Sequence, residues 1–182
     1  MGKQYATLSE EDIAFIQAQH IGFIASHSGQ EANLSPKGLD SFRVESAGSL
    51  LFLDYPGSGN RTARDVVAGG EVTVMFCAFE GSPKILRLFC KGELIGPCDE
   101  GFDDALSRFG AIDAGSVRQM IRLKIYAVES SCGFGVPILT YQGDRSALTD
   151  WVAKKQQAGK LERYIRDHAT PPDLDGFRTK AD

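Results

Sequence analysis

The sequence contains no apolar run that approaches the ~20 residues needed to span a bilayer. Its first residues, MGKQYATLSEED, have no apolar stretch of the kind that a secretory signal peptide requires. The net charge is -4, which argues against nucleic acid or an anionic membrane as the main partner, because both reward a basic face. We therefore expect a cytoplasmic protein that binds neither nucleic acid nor membranes.

Cysteine and histidine are scarce, and their spacing matches no metal site. The 4 cysteines form no C-x-x-C pair, and the 3 histidines are scattered along the chain. Cys77 and Cys90 fall in apolar runs, which indicates reduced core residues and not a disulfide framework. No convincing catalytic dyad is present. We therefore predict no metal ligand and assign no catalytic residue.

The chain does contain a succession of strand patterns joined mostly by short turns, with one helix between the third and fourth. Six strands are predicted, in the segments IGFIASHS, EANLSPKG, SFRVESAGSLLFLDY, EVTVMFCAF, ILRLFCKGELI and SVRQMIRLKIYAVES. We expect a break near Gly48 in the third strand and a bend or bulge near Gly92 in the fifth. The order disfavours a doubly wound parallel sheet, and antiparallel strands in this number usually close into a barrel or sandwich.

Helical patterns lie on both sides of these strands. An N-terminal helix is expected after Ser9, a capping residue followed by acidic side chains. The segment RSALTDWVAKKQQAGKLERYIRDHA predicts a helical extension in two pieces separated at Gly159, with Trp151 in its core. No repeat or composition break marks a second domain. Residues 1–182 are therefore predicted to form one domain, with a core at about 8–137 and the extension at about 145–169.

One stretch, LFLDYPGSGNRTARDV at residues 51–66, begins as a strand and ends as a helix. Glycines let a backbone approach a ligand closely, a helix N-terminus presents unpaired N–H groups, and arginine offers a forked donor that suits phosphate. The turn therefore has the parts of a phosphate cradle, although its spacing matches neither a Walker A loop nor a dinucleotide fingerprint. A capped surface helix in which Arg61 pairs with Asp65 explains the local pattern equally well.

Two further stretches carry weaker signals. In EANLSPKG, we expect Pro36 to end the hydrogen-bonded pairing of the second strand and Lys37 to lie in the tight turn that follows. Lys37 is then either a solvated turn residue or, together with Ser35, part of the rim of a site for a planar ligand. The segment SSCGFGVP is interpreted as an ordinary loop after the last strand.

Three segments follow one another along the chain: NLSPKG, LFLDYPGSGNRTARD and ILRLFCKGEL. With these segments in this order, the chain resembles the flavin-binding split-barrel proteins related to pyridoxamine 5'-phosphate oxidase. The resemblance runs from the first helix to about Pro137. It implies a β-rich, α+β fold: a six-stranded antiparallel split β-barrel with flanking helices. It also implies a homodimer that binds FMN in the clefts between its subunits.

The resemblance further implies which residues contact the flavin. The phosphate is expected at Asn60, Arg61 and Thr62, the pyrimidine side of the ring at Ser35, Pro36 and Lys37, and the other wall at Leu53, Asp54 and Tyr55. The oxidases carry Arg-Lys at this turn, so Asn60 in the arginine position removes one positive charge, which Arg64 would restore. Lys37 is expected to stabilise the anionic reduced flavin.

The implied activity is that of an oxidoreductase that transfers a hydride at flavin N5. True pyridoxamine phosphate oxidases end in a segment with a tryptophan and arginines, which has no match in SCGFGVPILTYQGDRSALTDW. Vitamin B6 is therefore not expected as the substrate, and a branch of the family with a different ending is indicated. Two alternatives stay open: a non-catalytic flavin-binding or sensor protein, and a relative that binds the deazaflavin F420 or haem. Haem is the weakest, because no histidine lies at a matched position.

Overall fold

The computed structural model describes residues 2–178, which form eight strands, six α-helices and a 3₁₀ turn at Ala114–Ser116. The strands are β1 (Lys3–Tyr5), β2 (Gly22–His27), β3 (Asn33–Lys37), β4 (Phe42–Ser46), β5 (Ser49–Asp54), β6 (Glu71–Cys77), β7 (Ile85–Ile95) and β8 (Gln119–Ser131). The helices are α1 (Glu10–Gln17), α2 (Arg61–Val67), α3 (Phe102–Ser107), α4 (Ala147–Gln157), α5 (Leu161–Asp167) and α6 (Asp175–Arg178). Within this part of the chain, every helix is too short or too polar to cross a bilayer.

All the strands belong to one antiparallel sheet in the order β3-β2-β6-β7-β8-β5-β4, and β1 pairs with the second half of β8. The β-rich antiparallel class is confirmed, but the predicted number of six strands is wrong. The third predicted strand is a hairpin of β4 and β5 that turns at Ala47 and Gly48, near the expected break. β1 was missed because three residues are too few to show an alternating pattern.

The sheet curls around a core on one of its faces. Phe42, on the edge strand β4, meets Phe76 of β6 edge-on with ring centroids 5.3 Å apart, although three strands separate β4 from β6 in the sheet. β5 is buried on both faces: Leu50 and Phe52 join the inner core, and the alternate side chains Leu51 and Leu53 pack under α3. Its continuous apolar run is the pattern expected of a doubly buried strand.

The predicted helix start at Ser9 and the predicted division of the C-terminal extension are confirmed. Ser9 Oγ accepts a hydrogen bond from the Asp12 backbone N–H at 3.2 Å, and Asp12 accepts one from the Ser9 N–H at 3.1 Å, which forms a capping box. The C-terminal extension divides at Gly159, whose φ of 63° is the left-handed conformation of a helix end. Trp151 is half-buried, not a full core residue, and packs edge-on against Tyr164 with centroids 4.7 Å apart.

The remaining local expectations have mixed outcomes. Cys77 and Cys90 are buried and unpaired, as predicted.

The register shift in β7 lies between Phe89 and Cys90, slightly before the expected bulge at Gly92. Gly92 serves a different purpose, because a Cβ at this position would lie 2.5 Å from a methyl carbon of Val66. The glycine thus lets α2 pack directly on β7.

We expect Gly92→Ala to lower the free energy of unfolding by about 1–3 kcal/mol, the usual cost of overpacking a core. Val66→Ala in the same chain should recover part of that loss, because it removes the methyl groups that the new Cβ meets. Urea denaturation of the two single variants and the double variant measures this coupling. Gly48→Ala is the control, since a Cβ there has no atom within 4 Å. If the losses in the free energy of unfolding of the two single variants simply add in the double variant, Val66 of α2 does not pack against position 92.

Candidate functional site

The two end strands of the sheet order, β3 and β4, do not pair with each other, and the gap beside β3 holds a cavity of ≈ 360 Å³. Its walls are β3, the end of β5 and the turn that leads into α2. Alternate side chains of β3, namely Asn33, Ser35 and Lys37, line it, whereas Leu34 points to solvent. The volume lies in the range of small-molecule sites.

The structure brings all nine residues that the resemblance implied to this cavity and to a smaller one beside it. The main cavity is lined by Ser35, Lys37, Asp54, Tyr55, Asn60, Arg61 and Thr62. The second, of ≈ 160 Å³, shares Lys37, Asp54 and Tyr55 with the first and adds Pro36 and Leu53. The residues are therefore neighbours in space, and the ligand that they contact stays a prediction.

Lys37 and Asp54 join the two sides of the gap. Lys37 Nζ lies 3.7 Å from Asp54 Oδ1 and 5.1 Å from the centroid of the Phe52 ring. Asp54 Oδ2 accepts a hydrogen bond of 3.0 Å from Gln119 Nε2. Burial raises the pKa of Asp54 above its ordinary value, against the opposing effects of Lys37 and Arg118. Lys37 is thus paired beside the cavity, and its interpretation as a solvated turn residue is wrong.

Arg118, the residue before β8, binds the backbone of the glycine turn from the side of the protein interior. The residue is 5% exposed, and its guanidinium donates to the carbonyl oxygens of Gly57 and of Gly59, the latter at 2.7 Å. In a trans peptide the C=O and the following N–H point in opposite directions, so the N–H groups of Ser58 and Asn60 point away from Arg118. Neither N–H has a hydrogen-bond partner among residues 2–178, so both are free to bind an anion.

The C-terminal extension forms another wall of the site. The Asn60 side chain accepts a hydrogen bond from Gln119 Nε2 at 2.8 Å and donates one to the Ala169 carbonyl at 2.7 Å. Arg61 Nη2 donates to the Pro172 carbonyl at 2.8 Å, and Leu148 of α4 lines both cavities. The Asn60 amide is therefore already engaged by the protein at both of its ends.

Two arginines and two carboxylates balance their charges beside the turn. Glu31 Oε1 accepts hydrogen bonds of 2.7 Å from Arg61 Nε and from Arg64 Nη1, and these bonds, led by that from Arg64, lower the pKa of Glu31 to about 2. Arg64 also pairs with Asp65, which is fully buried. The interpretation that pairs Arg61 with Asp65 is wrong. Arg64 does not line the cavity, and the expectation that it compensates for the charge absent at Asn60 stays a prediction.

Sequence reasoning missed Arg118, Gln119 and Glu31. The only signal for the first two was a pair of polar residues, RQ, at the start of an otherwise apolar strand pattern. Glu31 lies in a short turn, where a carboxylate has no special meaning. Their importance comes from contacts with residues far away in the sequence, which local patterns do not contain.

The chemistry of the site fits a phosphorylated planar ligand such as FMN. Arg61, the Thr62 hydroxyl and the two free N–H groups of the turn supply donors at one end, and Lys37 supplies a cation at the other. None of the three histidines lies on the walls of these two cavities. Within residues 2–178, no three histidine, cysteine or carboxylate side chains are grouped to hold a metal ion.

No protein-family model matches the chain. The chain is 33% identical over 175 residues to the pyridoxamine 5'-phosphate oxidase family protein ustO of Aspergillus flavus, a match that covers 93% of this chain and 70% of that protein. A candidate pyridoxamine 5'-phosphate oxidase of Lactobacillus delbrueckii has the same fold at 17% identity and a TM-score of 0.54, over 67% of this chain and 93% of that chain. HupZ of Group A Streptococcus has the same fold at 13% identity and a TM-score of 0.53, and the match covers 66% of this chain and 92% of that chain. At these identities, the solved structures show the fold alone.

We expect Arg118→Lys to lower the free energy of unfolding by about 1.5–3 kcal/mol, because an ammonium group cannot donate to both carbonyl oxygens in the way that the guanidinium fork does. Arg122→Lys, four residues further along the chain in β8, is the matched control. Arg122 binds Glu45 from a side chain that is 31% exposed, so the loss there should stay below about 1 kcal/mol. Urea denaturation measures both, and equal losses would contradict the role of Arg118 in holding the turn.

Proposed function

Because the chain belongs to the pyridoxamine 5'-phosphate oxidase family, we propose that it is an FMN-binding flavoprotein that acts as a small-molecule oxidoreductase. The observation that carries the proposal is the cavity beside β3, with free amides and Arg61 at one end and the Lys37–Asp54 pair at the other. A bound FMN would supply hydride transfer at its N5 atom, and the protein would supply binding, orientation and charge.

We assign the phosphate of FMN to the glycine turn. The donors would be Arg61, the backbone N–H groups of Ser58 and Asn60, and the Thr62 hydroxyl. Thr62 Oγ1 accepts a hydrogen bond of 2.9 Å from Asn33 Nδ2, which leaves its own proton to donate. Because the Asn60 amide is engaged by Gln119 and Ala169, its contribution is assigned to the backbone N–H and not to the side chain.

We assign the polar edge of the flavin ring to Lys37. Its ammonium group would compensate negative charge that develops on the ring during reduction. Asp54 Oδ1 lies 3.7 Å from Lys37 Nζ and holds that ammonium group in place. Pro36 and Leu53, on the wall of the smaller cavity, would give the ring apolar contacts.

We further propose that the protein is a homodimer built on the outer face of the sheet. Five side chains lie side by side across five neighbouring strands of this face: Leu34, Ala25, Thr73, Phe89 and Ala127. All of them are at least partly exposed, and Leu34 is 70% exposed. A continuous row of small and apolar side chains on a surface is typical of an interface. The face continues from β3, the strand that lines the candidate flavin site.

Titration of apo-protein with FMN and with riboflavin tests the flavin proposal. FMN should bind with quenching of its fluorescence, and Arg61→Ala should weaken FMN about ten- to a hundredfold through the lost phosphate contact. Riboflavin has no phosphate, so its affinity should stay the same. Arg163→Ala is the control, because that side chain is 79% exposed on α5. Absence of FMN binding by the wild type, or equal effects on both flavins, would contradict the assignment.

Reduction of the bound flavin by NADPH then separates the two functional classes. A flavin that is reduced and reoxidised in repeated cycles indicates an oxidoreductase. A flavin that NADPH and other common donors leave oxidised favours the non-catalytic flavin-binding alternative.

Leu34→Glu should convert the proposed dimer to a monomer, because it places an unpaired charge on the apolar face proposed as the interface. Sedimentation velocity measures the change, and FMN should strengthen the wild-type dimer if the flavin binds only the assembled state. Ile138→Glu is the control, since Ile138 is 85% exposed and lies outside the row. A wild type that stays monomeric while it binds FMN tightly would rule out a site between subunits.

A further inference from the structure

An aromatic cavity of ≈ 700 Å³ shares no lining residue with the two cavities described above. It is bounded by the end of α1, the start of β2, the turn between β6 and β7, and residues 139–143 of the segment after β8. We refer to it as the aromatic cavity because its walls include His20, Phe23, Phe79 and Tyr141. The size is that of a small-molecule site.

The walls of the aromatic cavity are fixed by hydrogen bonds and ring contacts. The Leu139 N–H donates to the Phe79 carbonyl at 3.0 Å, and the Tyr141 N–H donates to Glu80 Oε1 at 3.1 Å. The rings of His20 and Tyr141 stack at 3.6 Å with an angle of 8° between their planes. The segment after β8 is thus tied to the turn between β6 and β7 at two successive points, and the cavity is built into the fold.

The aromatic cavity adjoins the candidate flavin site. A third cavity, of ≈ 270 Å³, shares the residues around His20 with the aromatic cavity and shares Lys37 with the candidate flavin site. A Cβ at Gly38, the residue after Lys37, would lie 3.7 Å from the His20 carbonyl oxygen. A ligand in the aromatic cavity is therefore next to the end of the site where the flavin ring is proposed.

The charge of the walls restricts the ligand. Glu80 is the only charged side chain among the described residues that line the aromatic cavity, and neither lysine nor arginine is present there. An anionic ligand would meet a carboxylate without a counter-charge, whereas aromatic faces and a carboxylate attract a cation. The phosphate of a vitamin B6 compound has no partner in these walls.

We propose that the aromatic cavity binds the substrate of the oxidoreductase, and that this substrate is a planar aromatic molecule, neutral or positively charged, without a phosphate or carboxylate group. The role as a substrate rests on the proposed flavin function. The binding itself requires no flavin, so the two can be tested separately.

Isothermal titration with three bicyclic probes of similar size tests the proposal, on the protein with and without FMN. N-methylquinolinium and 2-naphthylmethanol should bind, and 2-naphthoate should bind at least about tenfold more weakly. Phe79→Ala should weaken the two binding probes about tenfold through the lost ring contact. Phe134→Ala should leave them unchanged, because Phe134 is 81% exposed and is not on the wall.

Glu80→Gln isolates the charge, since the amide oxygen can still accept the Tyr141 N–H. Compared with the wild type, this variant should bind 2-naphthoate more tightly and N-methylquinolinium more weakly, with the affinity for 2-naphthylmethanol unchanged. Equal binding of all three probes by the wild type, or of none, would overturn the proposal. If FMN fails to bind while the probes behave as expected, the flavin function is wrong and the aromatic cavity stands as a binding site. If FMN binds and no probe does, the aromatic cavity is not the substrate site.

Discussion

The site depends on a buried carboxylate in the gap where the curled sheet does not close. Asp54 ends a strand that is buried on both faces, so its side chain enters the gap with little water around it. A buried carboxyl group is tolerated only where donors and cations surround it. Lys37 pairs with it from β3, Gln119 donates a hydrogen bond to it from β8, and the positive charge of Arg118, the residue before β8, acts on it electrostatically. The Lys37–Asp54 pair thus connects β3 and β5, which no backbone ladder joins, and the cavity lies beside that pair.

The need to pair buried polar groups also determines the conformation of the turn before α2. Gln119 donates to both Asp54 and Asn60, and the neighbouring Arg118 draws two carbonyl oxygens of the turn toward the protein. The outward direction of the turn amides is therefore a consequence of satisfying polar groups inside the fold. The arginines beside the turn are balanced by Glu31 and Asp65, so the turn has little net positive charge of its own.

Local patterns were sufficient to predict the elements that local physics determines. The helix start at Ser9 and the division of the C-terminal extension at Gly159 both follow from neighbours within a few residues. The missed features have long sequence separations: 59 residues between Arg118 and Gly59, and 111 between Arg61 and Pro172. The positions of the nine candidate residues came from a family resemblance, and composition or periodicity alone would not have grouped them.

The solved structures that share this fold match about two thirds of the chain, whereas the fungal relative matches 93% of it. The segment after β8 supplies one wall of the candidate flavin site through Leu148, and it supplies Tyr141 to the aromatic cavity. A common fold can host different chemistries when the parts that select the substrate vary around a constant cofactor site. In this chain, the strands and the glycine turn provide the donors proposed for the cofactor, and the segment after β8 encloses the space beside them. Under the proposed function, we therefore expect selection of the substrate to depend on that segment more than on the sheet.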